Sequence, residues 1–141
     1  MTEKSIPTTG PSVFLTLQAR DAAGLIDHLT DVLGFVLTAR YEDGDKIAHA
    51  ELQRPDGHGG VMLGSHEKGS TWSREPGTAG GYIVVTEIEA LYQHVLEKKA
   101  DVVMPLGSTS YGSREFVVRD PEGNLWSVGT YVGEPLPAVA P

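Results

Sequence analysis

The chain has 141 residues, the length of one domain and enough to bury a core. Its 40% hydrophobic and 21% charged content is ordinary for a soluble globular protein, and no apolar run approaches the roughly 18 residues of a membrane span, so no membrane partner is expected. The absence of cysteine excludes a disulfide framework, a thiolate nucleophile and a Cys-ligated zinc, while a net charge of -8 argues against nucleic acid and favours neutral or cationic partners.

Residues 1–11 are polar, hold two prolines and lack the apolar stretch of a signal peptide; they read as a tail or an exchanged arm, and the chain as cytoplasmic. Residues 12–19 predict a strand. Asp21 is a good N-cap, and Ala22, Leu25, Ile26, Leu29, Val32 and Leu33 recur at helical spacing up to Gly34. Residues 35–41 predict a second strand, 42–45 a hairpin turn and 47–53 a third strand. On that third strand Ala48, Ala50 and Leu52 share one face, and His49, Glu51 and Gln53 the other. Pro55-Asp56-Gly57 is a turn, residues 61–65 a fourth strand, and residues 66–80 a Gly/Ser/Pro-rich connection holding Trp72.

The order then repeats. Residues 81–85 predict a strand, and Thr86-Glu87-Ile88-Glu89 a capping box. Ile88, Leu91, Tyr92, Val95 and Leu96 form the stripe of a second helix, followed by a strand at 102–106. A hairpin closes the module: strands at 113–119 and 125–131 flank the Asp120-Pro121-Glu122-Gly123-Asn124 turn. A fixed offset of 66 carries Asp21 to Glu87, Leu25 to Leu91, His28 to His94, His49 to Glu115 and Gly57 to Gly123, and an offset of 65 carries Gly64 to Gly129. The chain therefore reads as a tandem duplication of a βαβββ module: 12–66, a linker at 67–79, and 80–132, with tails at 1–11 and 133–141.

Two such modules resemble the vicinal oxygen chelate superfamily, the group of glyoxalase I, bleomycin-resistance proteins, fosfomycin-resistance proteins and extradiol dioxygenases. The resemblance rests on Leu33-Gly34-Phe35 and on the run from Arg114 through Phe116 and Asp120-Pro121-Glu122-Gly123-Asn124 to Trp126. It implies an α+β fold: U-shaped mixed sheets around a ligand cavity, helices outside, and a homodimer with cavities completed across subunits. In the superfamily's metalloenzymes, His, Gln or Glu at four strand positions hold the metal. Those positions fall here on Phe14, Met62, Gly80 and Ser127, none of which is a ligand for Zn, Ni, Mn or Fe. No metal or other cofactor is expected.

The same positions set the cavity face by strand alternation. Phe14, Thr16 and Gln18 point inward, as do Gly80, Tyr82, Val84, Ser127 and Gly129, while Trp126 packs under a helix. Alternation also turns His49, Glu51 and Glu115 inward, either as solvent-facing residues of an open sheet or as a His/carboxylate surface for a ligand. Tyr111 stands at the cavity mouth, and Trp72 caps the cavity or packs on a second subunit. Arg114 belongs to the opposite face, in a salt link or a dimer contact. His28 and His94 read as surface residues outside the sheets. Three readings stand: a metal-independent protein binding an apolar or cationic small molecule; a metalloenzyme with His49, Glu51 and Glu115 as displaced ligands; and a metal-free lyase or isomerase with His49 as base.

Overall fold

A computed structural model describes residues 10–138; the terminal segments 1–9 and 139–141, read above as parts of tails, lie outside the described residues. Strand β1 (Phe14–Ala19), helix α1 (Ala22–Asp31), β2 (Val36–Asp43), β3 (Lys46–Gln53) and β4 (Gly60–Ser65) make the first module. The second comprises β5 (Gly80–Val84), α2 (Ile88–Glu97), β6 (Asp101–Ser108), β7 (Arg114–Arg119) and β8 (Leu125–Gly129). The sheets have the same order, β1-β4-β3-β2 and β5-β8-β7-β6.

The register shows the repeat directly. Thr16 pairs with Met62 and Gln18 with Gly64; Tyr82 pairs with Ser127 and Val84 with Gly129. Those pairs are related by the offsets of 66 and 65 read from the sequence. Ala50 opposite Leu63 likewise becomes Phe116 opposite Val128.

Each helix covers one face of its sheet because its apolar stripe needs a partner. Leu25, Ile26 and Leu29 of α1 are at most 2% exposed and pack over Ala50, Leu52, Val61 and Leu63. Burying one such side chain contributes about 1.5–3 kcal/mol. Asp21 caps α1 by accepting from the Gly24 amide at 3.0 Å. Gly34, at φ 77°, takes the left-handed position that ends the helix, and the Phe35 amide returns to the Leu29 carbonyl at 2.9 Å. No helix among the described residues is long and apolar enough to cross a membrane.

Five local expectations are corrected. The capping box of α2 does not form: Glu87 is the N-cap without a side-chain bond, and Glu89 instead receives Arg114 Nε at 2.8 Å. Ala48 is exposed rather than on the buried face, because the β2–β3 register shifts there and Ile47 takes the inside position. β8 ends at Gly129, not 131, and β6 extends to Ser108, its register shifting around Pro105 as an edge strand permits. The helix histidines are half-buried at the seam between modules, not free on the surface. The His94 ring Nε2–H donates to the Asp31 carbonyl at 2.6 Å, and His28 Nδ1 is buried with no hydrogen-bond partner among the described residues. Burial pushes the His28 imidazole below its ordinary pKa, against the opposing pull of Asp120.

The opening of the final hairpin fixes this seam. Asp120, 3% exposed, accepts from the amides of Glu122, Gly123 and Asn124 and from Asn124 Nδ2 and Trp126 Nε1, all at 2.9–3.0 Å. Glu122 reaches into the first module, where its two oxygens accept from the amides of Arg20 at 2.7 Å and Asp21 at 3.0 Å. Trp126 meets Phe35 edge-on at 5.7 Å, so it is core, as its alternation implied. Arg54 completes the contact, donating to the Leu33 carbonyl at 2.6 Å and lying 4.7 Å over the Phe35 ring.

Candidate functional site

The faces turned away from the helices carry the polar and aromatic residues singled out by alternation. On the second module Tyr82 rises from β5, Glu115 from β7, and the strand between them, β8, contributes Gly129. Tyr82 Oη donates to Glu115 Oε2 at 2.6 Å, and Tyr111 Oη donates to Oε1 at 2.6 Å. Gly129 makes this possible: a Cβ there would collide with the Tyr82 hydroxyl and press on Glu115 Cγ. Tyr131 stands edge-on to Tyr111 with ring centres 5.5 Å apart. Three sequence-predicted residues, Tyr82, Tyr111 and Glu115, thus meet in one cluster.

The electrostatics of the cluster follow from its hydrogen bonds. Burial acts to raise the Glu115 carboxyl, but the hydrogen bonds from Tyr111 and Tyr82 oppose it and the group is held below its ordinary pKa. Burial and then the bond to Glu115 push the Tyr82 phenol up; for Tyr111 the bond to Glu115 is the larger cause. At neutral pH the arrangement is an anion held by two neutral hydroxyls.

On the first module His49 and Glu51, two apart on β3, point the same way, and His49 Nε2 lies 2.8 Å from Glu51 Oε2. Tyr41, across the β2–β3 ladder, stacks on the His49 ring at 6.2 Å. Gln18 Oε1 accepts from His66 Nδ1 at 2.9 Å and from the Arg74 amide at 3.3 Å, joining β1 to the linker. Phe14 lies over Gly60, which has no side chain to obstruct it, and Thr16 sits beside Met62. His49 and Glu115 hold equivalent places in the two modules, but each bonds within its own module. Trp72 is 78% exposed on the linker and caps no enclosed space within the chain. Arg114 faces away in the expected salt link, to Glu89.

At the positions that the resemblance assigns to the superfamily's metal ligands, Phe14, Met62, Gly80 and Ser127 present an aromatic ring, a thioether, no side chain and one hydroxyl, a donor set that does not fit a hard or borderline transition metal. Reading the strands two residues along gives Thr16, Gly64, Tyr82 and Gly129, which fit no better. The displaced set does not gather either: Glu115 stays with its tyrosines, and among the described residues no three of His, Asp or Glu come together.

Sequence reasoning placed Gly129 on the inward face but missed Tyr131 and Tyr41 as neighbours of the site, because their placement depends on where a strand ends and how a ladder shifts. Both concave faces are open in the single chain, with Tyr41 61%, Tyr82 43%, Met104 59% and Tyr111 57% exposed. Two hollows lie elsewhere: about 460 Å³ at the seam beside His28 and Lys99, and about 370 Å³ beside the start of α1.

Residues 12–128 match the family model of the Glyoxalase/Bleomycin resistance protein/Dioxygenase superfamily. A Mycobacterium bovis protein described as uncharacterized is 33% identical over 132 residues, spanning 88% of this chain and 86% of that protein. Among solved structures, TioX from Micromonospora sp. ML1 is 27% identical, with a TM-score of 0.69 over 88% of this chain and 98% of that one. TnmS3, an antibiotic binding protein from Streptomyces sp. CB03234, is 16% identical with a TM-score of 0.68 over 89% of this chain and 97% of that one, a likeness of fold alone. The chain belongs to the glyoxalase/bleomycin resistance/dioxygenase superfamily.

Proposed function

We propose that this chain is a metal-independent small-molecule binding protein, cytoplasmic and homodimeric, that holds an apolar or cationic ligand on its concave faces. One observation carries the reading: where the superfamily's metalloenzymes have ligating side chains, this chain has Phe14, Met62, Gly80 and Ser127, and around them stand tyrosines and carboxylates. Phe14, Thr16, Gln18, His49, Glu51, Met62, Trp72, Tyr82, Tyr111, Glu115 and Ser127 line the proposed site. A second copy covering the open faces would enclose a ligand and bury the exposed Trp72 and Met104. That TnmS3 binds an antibiotic on the same fold supports the assignment by analogy.

A second reading is favoured by a separate observation. The His49–Glu51 contact at 2.8 Å orients an imidazole as a general base is oriented, which fits a metal-free lyase or isomerase. A thermal-shift screen of aromatic metabolites and cationic antibiotics tests the binding reading. A ligand at 100 times its Kd adds about 2.7 kcal/mol and raises the midpoint; no shift across a broad library contradicts it. Turnover of any hit that survives unchanged in His49→Ala removes the proposed base.

A further inference from the structure

We propose that Glu115, with Tyr82, Tyr111 and Tyr131 around it, is the seat for an organic ammonium group on the ligand. The proposal rests on the small-molecule reading above and specifies which part of the face recognises charge.

The carboxylate's lack of a cationic partner points to this. Among the described residues four acids are not fully exposed: Glu51, Glu115, Asp120 and Glu122. Glu51 faces the His49 ring at 2.8 Å. Glu122 holds two backbone amides and has the Arg20 guanidinium at 3.9 Å. Asp120 is closed in by five N–H donors. Glu115 meets only neutral hydroxyls and, among the described residues, forms no ion pair; the adjacent Arg114 turns to the other face and pairs with Glu89. Two hydroxyls occupy one site on each oxygen, and a carboxylate accepts about four hydrogen bonds, so the outer positions stay open to a ligand's N–H.

The walls suit a cation too. Tyr82, Tyr111 and Tyr131 are 43%, 57% and 37% exposed, so none of the three is closed off from a ligand. Tyr111 and Tyr131 meet at 75°, which presents two differently directed rings beside the carboxylate rather than one stacked plate. The seat is built rather than incidental, since only glycine at 129 lets Tyr82 cross β8 to reach Glu115. The net charge of -8 draws cations to the surface at large, and this cluster gives them a defined place.

The test titrates isotope-labelled protein with phenethylamine, protonated at neutral pH, and with its neutral analogue 2-phenylethanol. Phenethylamine is expected to bind about tenfold or more tightly, with amide shifts centred on residues 82, 115 and 129–131. Glu115→Gln keeps the size of the side chain and one acceptor oxygen, its NH2 donating to the other tyrosine hydroxyl, and should bring the two affinities level. Tyr111→Phe keeps the ring and should retain the preference, which separates loss of charge from loss of fold. Failure of phenethylamine to bind, equal affinities in the wild type, or a preference that survives Glu115→Gln would each overturn the seat. Any of these, alongside binding of 2-phenylethanol or of neutral library compounds on the concave face, leaves the broader reading standing. The broader reading fails separately, when no library compound shifts the melting midpoint.

Discussion

Asp120→Ala is expected to destabilise the protein by about 3–5 kcal/mol. The carboxylate holds three turn amides on one oxygen and Asn124 Nδ2 and Trp126 Nε1 on the other. Asn124 and Trp126 are 1% and 3% exposed, so truncation strands two buried donors, each costing about 1–3 kcal/mol. The turn amides lose about 0.5–1.5 kcal/mol each, and a water entering the vacated space limits the total to the low end of each range. The loss is a large part of the roughly 5–15 kcal/mol that holds a domain together. Urea unfolding at neutral pH reads it. Asp120→Asn should fall between variant and wild type, because its carbonyl still serves the amides while its NH2 faces the donors of Asn124 and Trp126. An unfolding free energy for Asp120→Ala within about 0.5 kcal/mol of wild type would refute the view that this side chain organises the hairpin and the seam.

Gly129→Ala should cost about 1–3 kcal/mol from overpacking and displace the Tyr82 hydroxyl, moving the Glu115 carboxyl back up toward its ordinary pKa in an NMR titration. Because Glu115 is held below its ordinary value, its contribution to stability is full above the unfolded-state pKa and is lost as pH falls through the lower folded one; Glu115→Gln should flatten that acid limb of the melting curve. His28 works with the opposite proton balance to a paired histidine. Burial holds its pKa in the folded chain below the ordinary value, so stability is full above the unfolded-state pKa and declines as pH falls through it toward the lower folded one, the unfolded state taking up the proton first. His28→Gln should shrink that decline in thermal midpoint. Arg54→Ala removes the bond to the Leu33 carbonyl and the guanidinium over Phe35, and should cost about 1.5–3 kcal/mol in urea unfolding.

The order of elements was readable because a duplicated pattern constrains itself: the offsets that align the two turns also carry the β1–β4 pairs of the first module onto the β5–β8 pairs of the second. The inward direction of Glu115 and Tyr82 followed from alternation, a purely local property. Their bond did not, since it depends on a third strand lying between them with glycine at the crossing point. The pairing of His49 with Glu115 by symmetry held for backbone position and not for chemistry. Glu51 has Val117 as its counterpart, so only the first module can give its histidine a carboxylate on the same strand. His28 and His94 read as surface residues because helical periodicity shows which face of a helix meets its own sheet, not which residues meet the neighbouring module. The capping-box pattern at Thr86 misled for a related reason: Glu89 found a stronger partner in Arg114, twenty-five positions along the chain.

The metal content of protein purified without chelator or histidine tag tests the central claim most directly. Substoichiometric Zn, Ni, Mn and Fe, with a melting midpoint unchanged by chelator, is the result expected from Phe14, Met62, Gly80 and Ser127 at the superfamily's metal positions. One equivalent of any of these metals, removed by chelator with a fall in the melting midpoint, would contradict it.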